Sequence, residues 1–142
     1  MSASLVGSEM CIRDRSNEAH YYRAKAYLDA GKTDGAMEDL KVLAKDTRNV
    51  YGAEAKYKVA QIYFDGGQTD KAEQEVLNYI EVSTPHTYWL ARSFVLLADV
   101  YMKLGRNLDA KQYLLSLKQN YQADDDIAGM IESRLEKLKT EN

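Results

Sequence analysis

The 142-residue chain has little of what usually marks an enzyme or a disulfide-built domain. It has one cysteine, Cys11, so it can form neither an internal disulfide nor a thiolate metal cage. It has no run of 18 apolar residues, and its mean hydropathy is −0.53, so no segment is expected to span a membrane. Neither sign of charge dominates: 19 Lys and Arg against 22 Asp and Glu leave a net charge of −3 and a pI near 5.4. That balance lacks the electrostatic footprint of general nucleic-acid binding. The two histidines, His20 and His86, lie far apart in sequence, and neither follows a Glu at a spacing of three. No H-E-x-x-H, G-x-x-x-x-G-K-[ST] or G-x-G-x-x-G motif occurs. The composition therefore points to no catalytic residue, no cofactor and no metal. What the chain has is 45% hydrophobic and 29% charged residues, enough to bury one core and stay in solution.

It also has a repeat. Ala24, Tyr27, Gly31 and Ala36 form A-x2-Y-x3-G-x4-A; Ala60, Tyr63, Gly67 and Ala72 form it again, and Ala98, Tyr101, Gly105 and Ala110 a third time. Apolar positions follow in register: Leu40, Val76 and Leu114, then Leu43, Tyr79 and Leu117. Each copy reads as helix, turn, helix. The Gly falls where a left-handed residue closes a helix end. Thr33, Thr69 and Asn107 are placed to cap the helix that follows. The alanines are expected where two helices cross closely, with the tyrosines mostly buried beside them. No stretch alternates with period two, so strands are not expected.

The spacing predicts helices near 17–30, 34–46, 50–65, 70–82, 85–104 and 108–120, the fifth opened by Thr84 as cap and Pro85 as first helical residue. A seventh is expected over about 125–139, with Asp124, Asp125 and Asp126 at its positive end. Its apolar stripe is Ile127, Met130, Ile131, Leu135 and Leu138, while Glu132, Arg134, Glu136 and Lys137 cover the rest: the two faces of a capping helix.

Residues 1–15 differ from everything after them. They carry no helical period and lack the basic and apolar regions of a signal peptide. Leu5–Asp14, LVGSEMCIRD, resembles one reading frame of a transposase-type sequencing adapter, and the segment is read as a non-native tail. On that reading the native chain begins inside a longer protein, of which this is the C-terminal fragment. Its uncapped N-terminal edge, around Tyr21, Tyr22 and Ala26, is then expected to be exposed and to self-associate.

The threefold pattern resembles the tetratricopeptide repeat family, over residues 17–139 with the capping helix included. Copy three comes nearest at the first two family positions, with Phe94 and Leu97; copy one has His20 and Arg23 there, and copy two has Lys56 and Val59. The period, 36 residues from Ala24 to Ala60 and 38 from Ala60 to Ala98, exceeds the family's, and the surplus is expected in the turns between repeats. The longer period is similar to that of TPR-like proteins of bacterial envelopes, which implies a periplasmic or envelope location. The resemblance implies an all-α right-handed superhelix with repeats over about 17–52, 53–90 and 91–123. It implies a non-enzymatic protein-interaction scaffold that holds an extended peptide or partner helix in a concave groove. The alternative is a regulatory or substrate-recruiting arm of an enzyme whose catalytic part lies upstream. Transferred positions put Tyr22, Lys25 and Asp29 in the groove from copy one, Lys58, Gln61, Phe64 and Asp65 from copy two, and Leu96, Asp99, Met102 and Lys103 from copy three.

Overall fold

The computed structural model describes residues 2–82 and 84–140, and for residues 2–11, 13 and 14 the backbone alone. The described residues form seven α-helices and no strand: α1 Ser2–Asp29, α2 Thr33–Leu43, α3 Val50–Asp65, α4 Thr69–Glu81, α5 Thr87–Lys103, α6 Asn107–Asn120 and α7 Ile127–Thr140. The pairs α1–α2, α3–α4 and α5–α6 make three hairpins, stacked in chain order and followed by α7.

The repeated spacing is the hydrogen-bond pattern of the hairpin turn. Gly31, Gly67 and Gly105 have φ of 75°, 81° and 78°, the left-handed region that favours glycine. In each turn the glycine N–H donates three residues back, to Leu28, Phe64 or Met102. The next residue, Lys32, Gln68 or Arg106, donates at 2.8 Å to the carbonyl of the repeat tyrosine, Tyr27, Tyr63 or Tyr101. These two bonds are a Schellman motif, whose outer acceptor is the main-chain carbonyl four residues before the glycine, here that of the repeat tyrosine. The carbonyls of Lys32, Gln68 and Arg106 then accept from Ala36, Ala72 and Ala110, so one residue ends a helix and starts the next. This replaces the expected caps: Thr33, Thr69 and Asn107 are first helical residues, and no side chain caps α2, α4 or α6. The turn leaves no slack for a capping residue between the Schellman bonds and the first helical turn.

All six repeat alanines are buried; Tyr101 is buried too, while Tyr27 and Tyr63 are half-buried. Ala98 has no exposed surface, so Ala98→Leu must force apart a helix crossing. The variant is expected to lose about 1–3 kcal/mol in a urea melt. An unchanged midpoint would mean that the register is wrong.

The departures from the family pattern are matched in pairs across each hairpin. His20 Nδ1 lies 2.8 Å from Asp39, and Arg23 donates to both oxygens of the same carboxylate. One repeat later, Lys56 pairs with Glu75 at 3.0 Å. In the third copy the equivalent residues are Phe94 and Tyr113, whose rings lie 6.2 Å apart. The same contact between helices is thus ionic twice and aromatic once. Asp39 is buried, and the hydrogen bonds from Arg23 hold its carboxyl below the usual carboxylate range, against a desolvation that pushes the other way. The sign follows: below the ordinary carboxylate pKa of about 4 the unfolded chain takes up a proton that the folded chain refuses. Stability from this group is full above that pH and is lost as pH falls through the lower folded value. Urea melts from neutral pH down to acid should therefore show a shallower acid loss for Asp39→Asn than for the wild type. Parallel losses would remove Asp39 from the acid sensitivity.

The core has two parts that share α3. Ala55 and Val59 face Ala24, Ala36, Leu40 and Leu43 of the first hairpin. Tyr57 and Ala60 join a larger cluster running through Val76, Leu97, Ala98 and Leu114 to Ile127, Ile131 and Leu138 of α7. The apolar stripe foreseen for α7 does close the stack, except that Met130 and Leu135 are only partly buried.

Three local expectations are corrected. α5 starts at Thr87 rather than Pro85: the Thr84 hydroxyl accepts from the His86 N–H and donates to the Thr47 carbonyl at 2.7 Å, so it ties down a turn. His86 Nε2 donates to the Arg48 carbonyl at 2.9 Å, so the long turns 44–49 and 82–86 are bonded to each other. The surplus repeat length lies in these turns, as expected. Second, α1 runs back to Ser2, so residues 2–15 are helical where no helical period was legible. Most side chains of the segment read as a non-native tail, residues 1–15, lie outside the described ones; Ile12 and Arg15 are exposed. Third, Tyr22 and Ala26 are exposed as foreseen, but Tyr21 is half-buried, its ring 4.6 Å from that of Tyr51 on α3.

Candidate functional site

The two layers of the stack differ. The first helices touch in series, α1 on α3, α3 on α5 and α5 on α7. The second helices, α2, α4 and α6, do not touch one another. A stack that is tighter in one layer curves toward it, so the concave face is made by α1, α3, α5 and α7.

Most of the foreseen groove residues have surface to offer. Tyr22, Lys25, Asp29, Asp65 and Lys103 are exposed, and Lys58, Gln61, Phe64, Asp99 and Met102 are half-buried. Leu96 is a correction. It is 2% exposed and belongs to the cluster that takes in α7, so it is core rather than groove.

At the α1–α3 seam the Tyr21 hydroxyl donates to both oxygens of Glu54 at 3.1 Å. Lys58 pairs with Glu54 at 2.6 Å, and Lys25 and Lys58 both lie over the Tyr21 ring. Burial and then the Glu54 carboxylate push the Tyr21 hydroxyl up to about 12, so it stays a donor at neutral pH. At the α3–α5 seam the same stations hold other groups. Tyr57 packs on Trp89 at 5.7 Å, and Arg92 stands where Glu54 stood, 5.1 Å from the Tyr57 ring. The Tyr57 hydroxyl donates to Gln61, whose amide donates to Asp65, a ladder along one face of α3. Sequence reasoning missed Glu54, Tyr57 and Arg92. Extending each stripe one or two turns toward the helix start, from Gln61 to Tyr57 and from Asp99 to Arg92, would have found the last two.

Four foreseen residues, Phe64, Asp99, Met102 and Lys103, line one cleft of about 520 Å³. Its other wall is Ser133, Arg134 and Lys137 of α7. Arg134 is more than surface cover: its guanidinium donates to both Asp99 oxygens at 3.1 Å. Near the start of α5, Tyr88 donates to Asp126 at 2.8 Å, so α7 runs parallel to α5 and continues the concave face. The signal for this was available, since a capping helix that follows a hairpin occupies the place of the next first helix.

A larger cleft, about 600 Å³, lies where the α1–α2 and α3–α4 turns of the first two hairpins face each other, beside Leu28, Met37, Ile62 and Tyr63. Among the described residues no group of three metal-ligating side chains converges, and no helix is long and apolar enough to cross a membrane. The concave face offers aromatic rings, hydrogen-bonding side chains and fixed charges.

No curated protein matches the chain. Family models do: residues 18–46 match one tetratricopeptide repeat model and residues 91–120 match another. The matched segments lie on α1–α2 and α5–α6, and α3–α4 carries the same residue spacing. Repeats of this family generally mediate protein–protein interaction. Two segments of the chain thus match tetratricopeptide repeat models, within an all-α, tetratricopeptide-like helical-repeat stack.

Proposed function

We propose that the protein is a non-enzymatic interaction scaffold whose concave face holds an extended peptide or a partner helix. The observation that carries this reading is the unbroken inner layer, α1, α3, α5 and α7, with aromatic and charged side chains along its length. A mixed wall of this kind suits a linear partner, because rings and thioethers supply contact area while fixed charges and amides set orientation. The longer repeat period supports placing the scaffold in a bacterial cell envelope.

The test is to pan short random linear peptides against the chain. A concave-face variant, Lys25→Glu with Gln61→Arg, should lose the selected peptides. An outer-face variant, Lys111→Glu with Leu115→Ser on α6, should keep them. All four residues are exposed or half-buried, so both variants should fold. Failure to select any peptide, or loss of binding only in the outer-face variant, would overturn the proposal.

A further inference from the structure

We infer that the cleft between α3, α5 and α7 takes an acidic segment of the partner: carboxylate side chains flanking one aromatic or large aliphatic side chain. The inference rests on the concave-face reading above and specifies the chemistry it selects. Lys103 on α5 and Lys137 on α7 line the cleft from two different helices. Neither makes an ion pair with any described residue. Asp99 is the one anion among the lining residues, and Arg134 holds both of its oxygens. The cleft therefore carries three cations against one anion in a chain whose net charge is −3. Its local sign opposes that of the whole molecule, so an acidic segment is drawn to this face and discouraged elsewhere.

The same cleft has an apolar floor. Phe64 and Met102 are half-buried against the core, with surface left open. The Lys103 ammonium lies 5.4 Å from the centre of the Phe64 ring, a weak cation–π contact that a carboxylate can outbid. An apolar side chain seated on Phe64 and Met102 would have Lys103 to one side and Lys137 to the other. The second seam tells against a uniform groove: Glu54 at the α1–α3 junction is replaced by Arg92 at the next, so positive charge collects toward the α5–α7 end.

The test is to display short random peptides with no free C-terminus, select on the full chain, and read the enriched residues. Asp and Glu should be enriched on both sides of an aromatic or aliphatic position. The consensus peptide, acetylated and amidated, is then titrated by fluorescence anisotropy. Its affinity should fall roughly tenfold in Lys103→Gln and in Lys137→Gln, and again when its own acids become amides. It should weaken as salt rises and be unchanged in Lys111→Gln on the outer face. Both lysines are exposed, and a melt of each variant checks that folding is intact. If the consensus binds the two lysine variants like the wild type, the inference falls. If neutral peptides are selected and lost in the concave-face variant, the scaffold reading stands and the acidic preference falls. If nothing is selected, both fall.

Discussion

Gly52→Ala should destabilise the protein by about 3 kcal/mol, as its Cβ meets closer main-chain obstacles than a Cβ at any other described glycine. Gly52 is buried in the first turn of α3, and its backbone is ordinary helix, so conformational freedom is not what it supplies. It supplies absence of a side chain. A Cβ there would fall on the backbone carbonyl oxygen of Asp46 and 2.6 Å from that of Leu43. Both obstacles are main chain, Leu43 at the end of α2 and Asp46 in the turn after it, so no rotamer change relieves them. The start of α3 would have to lift off the end of α2, and buried Ala53 and Ala55 would be dragged with it. Gly35→Ala is the control. Its Cβ would meet the Tyr27 ring first, at 3.1 Å, and a half-buried ring can tilt. Alanine also favours helix over glycine by up to about 1 kcal/mol, so Gly35→Ala should be close to neutral. Urea melts of the two variants decide it. Equal and small losses would mean that α2 and α3 meet less closely than 2.6 Å implies.

Leu114→Ala should cost about 2–5 kcal/mol. Leu114 has no exposed surface and sits in the cluster shared by α3, α4, α5, α6 and α7. Leu114 shares its cluster with Val76, Leu97 and Ala98, on helices fixed by their own turns, so the void cannot collapse fully. Leu40→Ala, the same station of the first repeat, removes an equally buried side chain from the smaller cluster. Its cost should appear first as early exchange of amide hydrogens in α1 and α2. Leu114→Ala should instead expose α5, α6 and α7 together. A loss under about 1 kcal/mol for Leu114→Ala would contradict the cooperative core drawn here.

The hairpins were legible because their code is local. The glycine is the positive-φ residue of a turn whose main-chain bonds close within ten residues, from Tyr27 to Ala36, and the Tyr and Ala at fixed spacings around it mark the packed positions of the two helices it joins. The buried alanines, the glycine turns and the closing stripe of α7 follow from that code and from helical period. The caps were misread because the Schellman bonds and the next helix use the same residue, which the choice of a nearby Thr or Asn cannot reveal.

Tertiary structure decided what depends on partners distant in the chain. Leu96 lies on the stripe of Asp99 and Lys103, yet it is core, because packing of the whole stack rather than helical period sets how much of a stripe is covered. Arg134 reads as solvent cover until α7 is laid parallel to α5, where it meets Asp99 thirty-five residues away. His20, Arg23 and Lys56 look like lapses in a repeat until their carboxylates, Asp39 and Glu75, arrive from the facing helix. Gly52 gives no sign of its role, since the atoms that forbid a side chain there are main-chain oxygens, identical in every residue. Local hydrogen bonding made each hairpin; contacts between hairpins decided which surface remained to bind anything.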